Sequence, residues 1–193
     1  MEQSGLEDFQ RVVGDRIANL NVFALLNGVD LEDARSRRTL RDQNRTIRLF
    51  YSYSHKDERL RDELETHLKL MQRQGLLETW HDRRINPCDE FDREISENLE
   101  RADIILLLVS ADFIASGYCY EKEMTRALER HKKGDARVMS IILHDVNWSK
   151  APFATSLVLP KDGKPVTRWK PKARAWNNVS QEIEKVVEEM RNK

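Results

Sequence analysis

Three groups of side chains in this sequence have the types and spacing to do chemistry. Ser54 and His55 stand side by side after a short apolar run, Asp82 lies two residues after Trp80, and Glu121 and Glu123 follow closely on the segment Leu107-Leu108-Val109-Ser110. A carboxylate in a partly desolvated cleft can steady a developing cation or move a proton. A serine beside a histidine invites nucleophilic chemistry, but adjacent residues at the end of an extended segment point apart, and spacing alone suggests no Ser/His/Asp set. By itself Ser54 reads as a cap for a helix starting near Asp57. Glu123 is one of 33 acidic residues, so position alone does not separate it from a solvated surface.

Other chemistries lack their residues. A dinucleotide-binding turn after the first strand needs glycines, and the turn Ser54-His55-Lys56-Asp57 has none. A P-loop sequence is absent, and a phospho-accepting receiver domain would need an acidic pair where Tyr53-Ser54-His55 stands. Cys88 and Cys119 are the two cysteines, in no CxxC or Cys/His spacing suited to zinc, so no metal site is expected.

The elements that must position these residues follow from hydrophobic periodicity. Ile47 to Tyr53 is short and rich in β-formers, which predicts a strand. Leu60, Leu64, Leu68 and Met71 then recur at helical spacing, and Gly75 closes that helix. Leu76 to Trp80 predicts a second strand, followed by a polar loop from His81 to Asp89 and a helix lined by Phe91, Ile95 and Leu99. Asp103-Ile104-Ile105-Leu106-Leu107-Leu108-Val109 is a continuous apolar run, the mark of a strand buried on both faces, so helices must cover both sides of the sheet. A helix over 120–131, a strand over 138–143 and a helix from about Ala175 complete the pattern. Strands alternating with single helices make a doubly wound parallel sheet, whose ligands bind beyond the carboxyl ends of the strands, near the point where strand order reverses. Those ends are Tyr53-Ser54-His55, Trp80-His81-Asp82, Ser110-Ala111-Asp112 and His144-Asp145.

Residues 1–45 read as a helical N-terminal extension and linker: Leu6, Phe9, Val13, Ile17 and Leu20 have helical spacing, and Asn27-Gly28 is a stop. They carry no chemical motif. Lys and Arg together number 33, equal to Asp and Glu, so the net charge is zero and no nucleic-acid partner or anionic membrane surface is expected. No apolar run reaches a membrane span, and the N-terminus lacks the regions of a signal peptide. A cytoplasmic protein with free thiols is the expectation.

Taken together, the motifs resemble the TIR (Toll/interleukin-1 receptor homology) domain family over about residues 46–190. Phe50-Tyr51-Ser52-Tyr53-Ser54 resembles the family's first box, and Trp80 to Pro87 its second strand and following loop. Leu107-Leu108-Val109-Ser110, Ser116 and Tyr118 to Met124 resemble its third strand and helix. Ala151-Pro152-Phe153, Leu159-Pro160, Gly163-Lys164-Pro165-Val166 and Trp169 are similar to bacterial members. The resemblance implies a flavodoxin-like five-stranded parallel sheet over 46–193, with helices on both faces.

It also implies one of two functions: an NAD+ nucleosidase that releases nicotinamide and leaves ADP-ribose or a cyclic variant, switched on by self-association in defence or signalling, or a non-catalytic signalling module acting through TIR–TIR contacts. In the first, NAD+ is substrate rather than cofactor. Glu123 matches the family's catalytic glutamate, Ser54 and His55 match positions that approach substrate, and Asn86 lies in the loop bordering the cleft. Asp82 directly follows the second strand, and Tyr51 or Trp80 is placed to flank the base, with core packing the alternative for each. The sequence departs from the family pattern at Cys88, where glycine is frequent, and at Cys119, where many catalytic members carry tryptophan.

Overall fold

The computed structural model describes residues 45–80 and 96–192. Five strands form one sheet: β1 (Ile47–Ser52), β2 (Leu77–Trp80), β3 (Ile104–Val109), β4 (Arg137–Ile142) and β5 (Leu157–Leu159). The order is β2-β1-β3-β4-β5 and every pairing is parallel. The chain leaves β1 in one direction to β2 and returns to lay β3 on the other side, so strand order reverses between β1 and β3. That is the doubly wound sheet expected from the sequence.

Side-chain alternation divides the core in two. On one face Ile47, Leu49 and Tyr51 of β1 join Ile104, Leu106 and Leu108 of β3 and Met139 and Ile141 of β4. They are covered by helix α1 (Glu58–Arg73) through Leu60, Leu64, Leu68 and Met71, and by the C-terminal helix through Trp176, Val179, Ile183 and Val187. On the other face Phe50, Ile105, Leu107, Val109, Val138 and Ile142 meet Leu99, Phe113, Met124, Ala127 and Phe153. Every residue of β3 is buried, as its unbroken apolar run requires.

Helix ends follow their terminators. Gly75 and Gly134 adopt φ of 69° and 81°, and the residues just after them donate backbone hydrogen bonds to Met71 and Arg130. Only glycine takes that left-handed backbone without strain, so α1 and the helix α3 (Met124–Lys133) stop there. Arg130 of α3 is buried and donates to the carbonyls of Leu99, Ala102 and Asp135, tying down the end of the helical residues 96–101. At the start of the sheet, Asp103 accepts from the backbone N–H of Arg48 and pairs with Arg45, which sets β3 beside β1.

Two short elements fell below the reach of periodicity: helix α2 (Ala111–Ala115) and the three-residue strand β5. The C-terminal helix α4 (Lys172–Arg191) starts three residues earlier than expected, because Lys172 and Trp176 both bond Glu63 of α1. The expected helix over 120–131 is also built differently. Gly117–Glu123 is a π-helical turn that runs into α3, closed by a bond from the Met124 N–H to the Cys119 carbonyl.

Candidate active site

The carboxyl end of β1 delivers Ser52 on the Phe50 face, while Tyr51 and Tyr53 point to the α1 face. Ser110, the residue after β3, caps α2: its hydroxyl accepts the N–H of Phe113 at 3.0 Å. Ser116 repeats the device one turn later, accepting the N–H of Cys119 at 3.2 Å. The wide π turn that follows turns Glu123 back toward the sheet, at the point where strand order reverses.

Glu123 is buried, and the hydroxyl of Ser52 donates to its Oε2 at 2.5 Å. Glu121, two residues earlier, is exposed. The distinction that sequence position could not make is therefore made by the fold. A short bond from a fully buried hydroxyl to a carboxylate is of the stronger, charge-assisted kind. Beside it the Cys119 thiol donates to the Tyr53 carbonyl at 3.3 Å. Burial, reinforced by the nearby Glu123 carboxylate, pushes that thiol up to about 11, so it stays protonated and uncharged at neutral pH.

A second acid borders the same cleft. Asp57 is buried at the end of the one-turn 3₁₀ segment His55–Asp57, and its Oδ2 accepts from the Ser110 hydroxyl at 2.5 Å. Its Oδ1 faces His144 Nε2 at 3.8 Å. Loss of water raises the Asp57 carboxyl above its ordinary value, partly offset by the Ser110 hydrogen bond. Lys56 next to it is turned to Asp112, at 2.6 Å.

The residues expected from the sequence separate accordingly. Ser54 and His55 lie just past the end of β1, at the rim, with His55 exposed and edge-on to Tyr53. Ser54 makes no side-chain cap hydrogen bond; Asp57, not Ser54, precedes α1. Tyr51 is buried on the opposite face from Glu123 and bonds Glu65 at 2.7 Å, so core packing is the role it takes and the sheet stands between it and the cleft. Trp80 shares the Glu123 face, where it stacks on Phe50 at 5.5 Å and lines a cavity of about 210 Å³ with Arg48, Asn98 and Arg101. Asp82, Asn86 and Cys88 lie outside the described residues, as do residues 1–44 of the expected 1–45 extension. Ser52, Asp57 and Ser110 were not among the site residues expected from the sequence, although strict alternation along β1 puts Ser52 with Phe50 on the face that α2 and α3 cover. Among the described residues, no cluster of three or more His, Cys, Asp or Glu could hold a metal ion.

The family model for the TIR domain matches residues 49–165. The chain belongs to the TIR domain family. That match takes in the first box, the residues from Trp80 to Pro87, the π turn with Glu123, and the segment through β5. The chain is also 55% identical over 121 residues to the uncharacterized protein y4lF of Sinorhizobium fredii, a stretch that is 63% of this chain and 38% of that relative. The chain thus spans well under half the length of that curated relative. A structural match to the TIR domain of a Toll-related receptor from Hydra magnipapillata covers 70% of this chain and 97% of that one, with 16% identity and a TM-score of 0.47. Among the described residues, no helix is long and apolar enough to cross a membrane.

Proposed function

We propose that this TIR domain is an NAD+ glycohydrolase that cleaves the nicotinamide–ribose bond, and that self-association through TIR–TIR contacts activates it in signalling or defence. One observation carries the reading: of the two glutamates beside the cleft, Glu123 is turned inward at the strand-order reversal and held there by Ser52. Cleavage of the bond builds positive charge on the ribose, as in other glycoside cleavages. Nicotinamide leaves as a neutral molecule without prior protonation, so no strong acid is needed. Glu123 supplies the opposing charge and holds a ribose hydroxyl, and Ser52 fixes the carboxylate so that little reorganisation accompanies the charge. The protonated Cys119 adds no competing anion. Ser54 and His55 at the rim, with Asp82 and Asn86, which follow β2 in the sequence, contact the rest of the substrate.

The test is nicotinamide release from NAD+ by purified protein, at rising concentration and under crowding. Turnover lost in Glu123→Ala supports the reading. No turnover in the parent under any condition, or full turnover in the variant, ends it.

The same Ser52–Glu123 bond supports a second reading, because a purely structural tie between β1 and the π turn has the same form. Here the domain acts as a non-catalytic module. Self-association then survives Glu123→Ala and is lost on changing Arg84 or Pro87, which follow β2 in the sequence, with no nicotinamide released by any form.

A further inference from the structure

The cleft holds a pair that the cleavage step leaves unused. His144 lies two residues past β4, and the bond from Leu143 N–H to the Val109 carbonyl at 2.8 Å keeps that end of the chain alongside the end of β3. Asp57 presents Oδ1 to its Nε2, while Oδ2 is occupied by Ser110. The imidazole is about half exposed, at 48%. Ser52, which holds Glu123, and Ser54, whose carbonyl accepts the Asp57 N–H at 2.7 Å, both stand at the carboxyl end of β1, so the Asp57–His144 pair and Glu123 border the same end of the sheet.

We propose that His144, oriented by Asp57, is the catalytic base of the hydrolytic half of the reaction; this rests on the glycohydrolase reading. The bond between the ribose C1′ and the nicotinamide nitrogen breaks with both electrons leaving on nicotinamide. Water then gives a lone pair to C1′, and its proton passes to Nδ1 of His144 and on to solvent. Glu123 is unsuited to that second task, since it is engaged by Ser52 and by the ribose it steadies. An imidazole is the side chain whose ordinary titration lies nearest neutrality, which suits a base. A carboxylate on one ring nitrogen fixes the tautomer that leaves the other free to accept. The 3.8 Å separation is long for a hydrogen bond, and catalytic contacts of this kind tighten when substrate fills a site. Burial disfavours the charged form of Asp57, and the Ser110 hydrogen bond partly offsets it.

The experiment offers two nucleophiles at once. Protein, NAD+ and excess 3-acetylpyridine are incubated together, and ADP-ribose (water attack) is measured against the acetylpyridine dinucleotide (exchange). Water must lose a proton and the pyridine has none to lose, so only hydrolysis uses the base. His144→Ala and the more conservative His144→Gln are expected to lower the ratio of hydrolysis to exchange by about tenfold or more. Asp57→Asn moves it the same way. Hydrolysis and exchange falling together in both His144 variants, or not at all, overturn the proposal and leave the glycohydrolase reading standing. So does a parent protein whose product is exclusively cyclic, because water is then not the nucleophile. A parent with neither activity overturns both.

Discussion

Replacing Ser52 by alanine removes one oxygen from the centre of the site and little else. The residue is fully buried and its hydroxyl donates to Glu123 Oε2 at 2.5 Å. A hydrogen bond to a charged group contributes about 1.5–3 kcal/mol, and the loss leaves that carboxylate oxygen without its donor from β1. Taking about 2 kcal/mol, the melting temperature falls by about 4–8 °C for a domain of this size. If the whole bond serves the transition state, nicotinamide release falls by at most about thirtyfold, since about 1.4 kcal/mol is a factor of ten. Stability alone does not identify the bond, so the assay is a double-mutant cycle: parent, Ser52→Ala, Glu123→Ala and the double variant, each followed by urea unfolding. The two changes should couple by about 1–2 kcal/mol, with Ser52→Ala costing little once Glu123 is gone. Additivity within about 0.5 kcal/mol would refute the bond and with it the account of how Glu123 is aimed.

Three further outcomes follow from the same contacts. The carboxyl of Asp57 is raised by burial, so the native state binds more protons than the unfolded chain above the ordinary carboxylate range, and Asp57 costs increasing stability as pH climbs through that window. Asp57→Asn should therefore raise the melting temperature near neutrality, with a gain that shrinks toward about pH 4, where an unfolded aspartate is itself protonated. Cys119, with its thiol held up at about 11, should resist iodoacetamide at pH 8 in the folded protein and react readily in urea, as followed by peptide mass spectrometry; Glu123→Ala, by removing a neighbouring negative charge, should quicken the folded reaction. Arg130→Met removes a guanidinium donor from the Leu99, Ala102 and Asp135 carbonyls and should cost about 2–4 kcal/mol in urea unfolding.

The architecture was legible because its signals are strong and local. An apolar run such as Ile104 to Val109 has few alternatives to a strand buried on both faces. Gly75 ends α1 where the periodicity of Leu60, Leu64, Leu68 and Met71 stops. Short elements escaped for the opposite reason: β5 has three residues, too few for alternation to register, and is held as a strand by pairing with Met139 to Ile141 on β4. Asp57 escaped because its burial depends on Ser110 and His144, which lie 53 and 87 residues further along the chain.

Glu123 was legible only as a motif position, and the reason lies in the π turn. In an α-helix each residue advances about 100°, so the faces of Glu121 and Glu123 follow from simple spacing. Between Gly117 and Glu123 the backbone is instead wound wider, closing Met124 onto Cys119 rather than onto Tyr120, and the direction of every side chain in that turn shifts. Periodicity has no symbol for an extra residue, and such turns recur at functional sites because they re-aim a side chain without interrupting the helix. The strand opposite shows the complementary lesson. Alternation along β1 sends Phe50 and Ser52 to one face and Tyr51 and Tyr53 to the other, so a carboxylate arriving from the Phe50 side can meet Ser52 but not Tyr51. The motif names the acid; the parity of the strand names its partner.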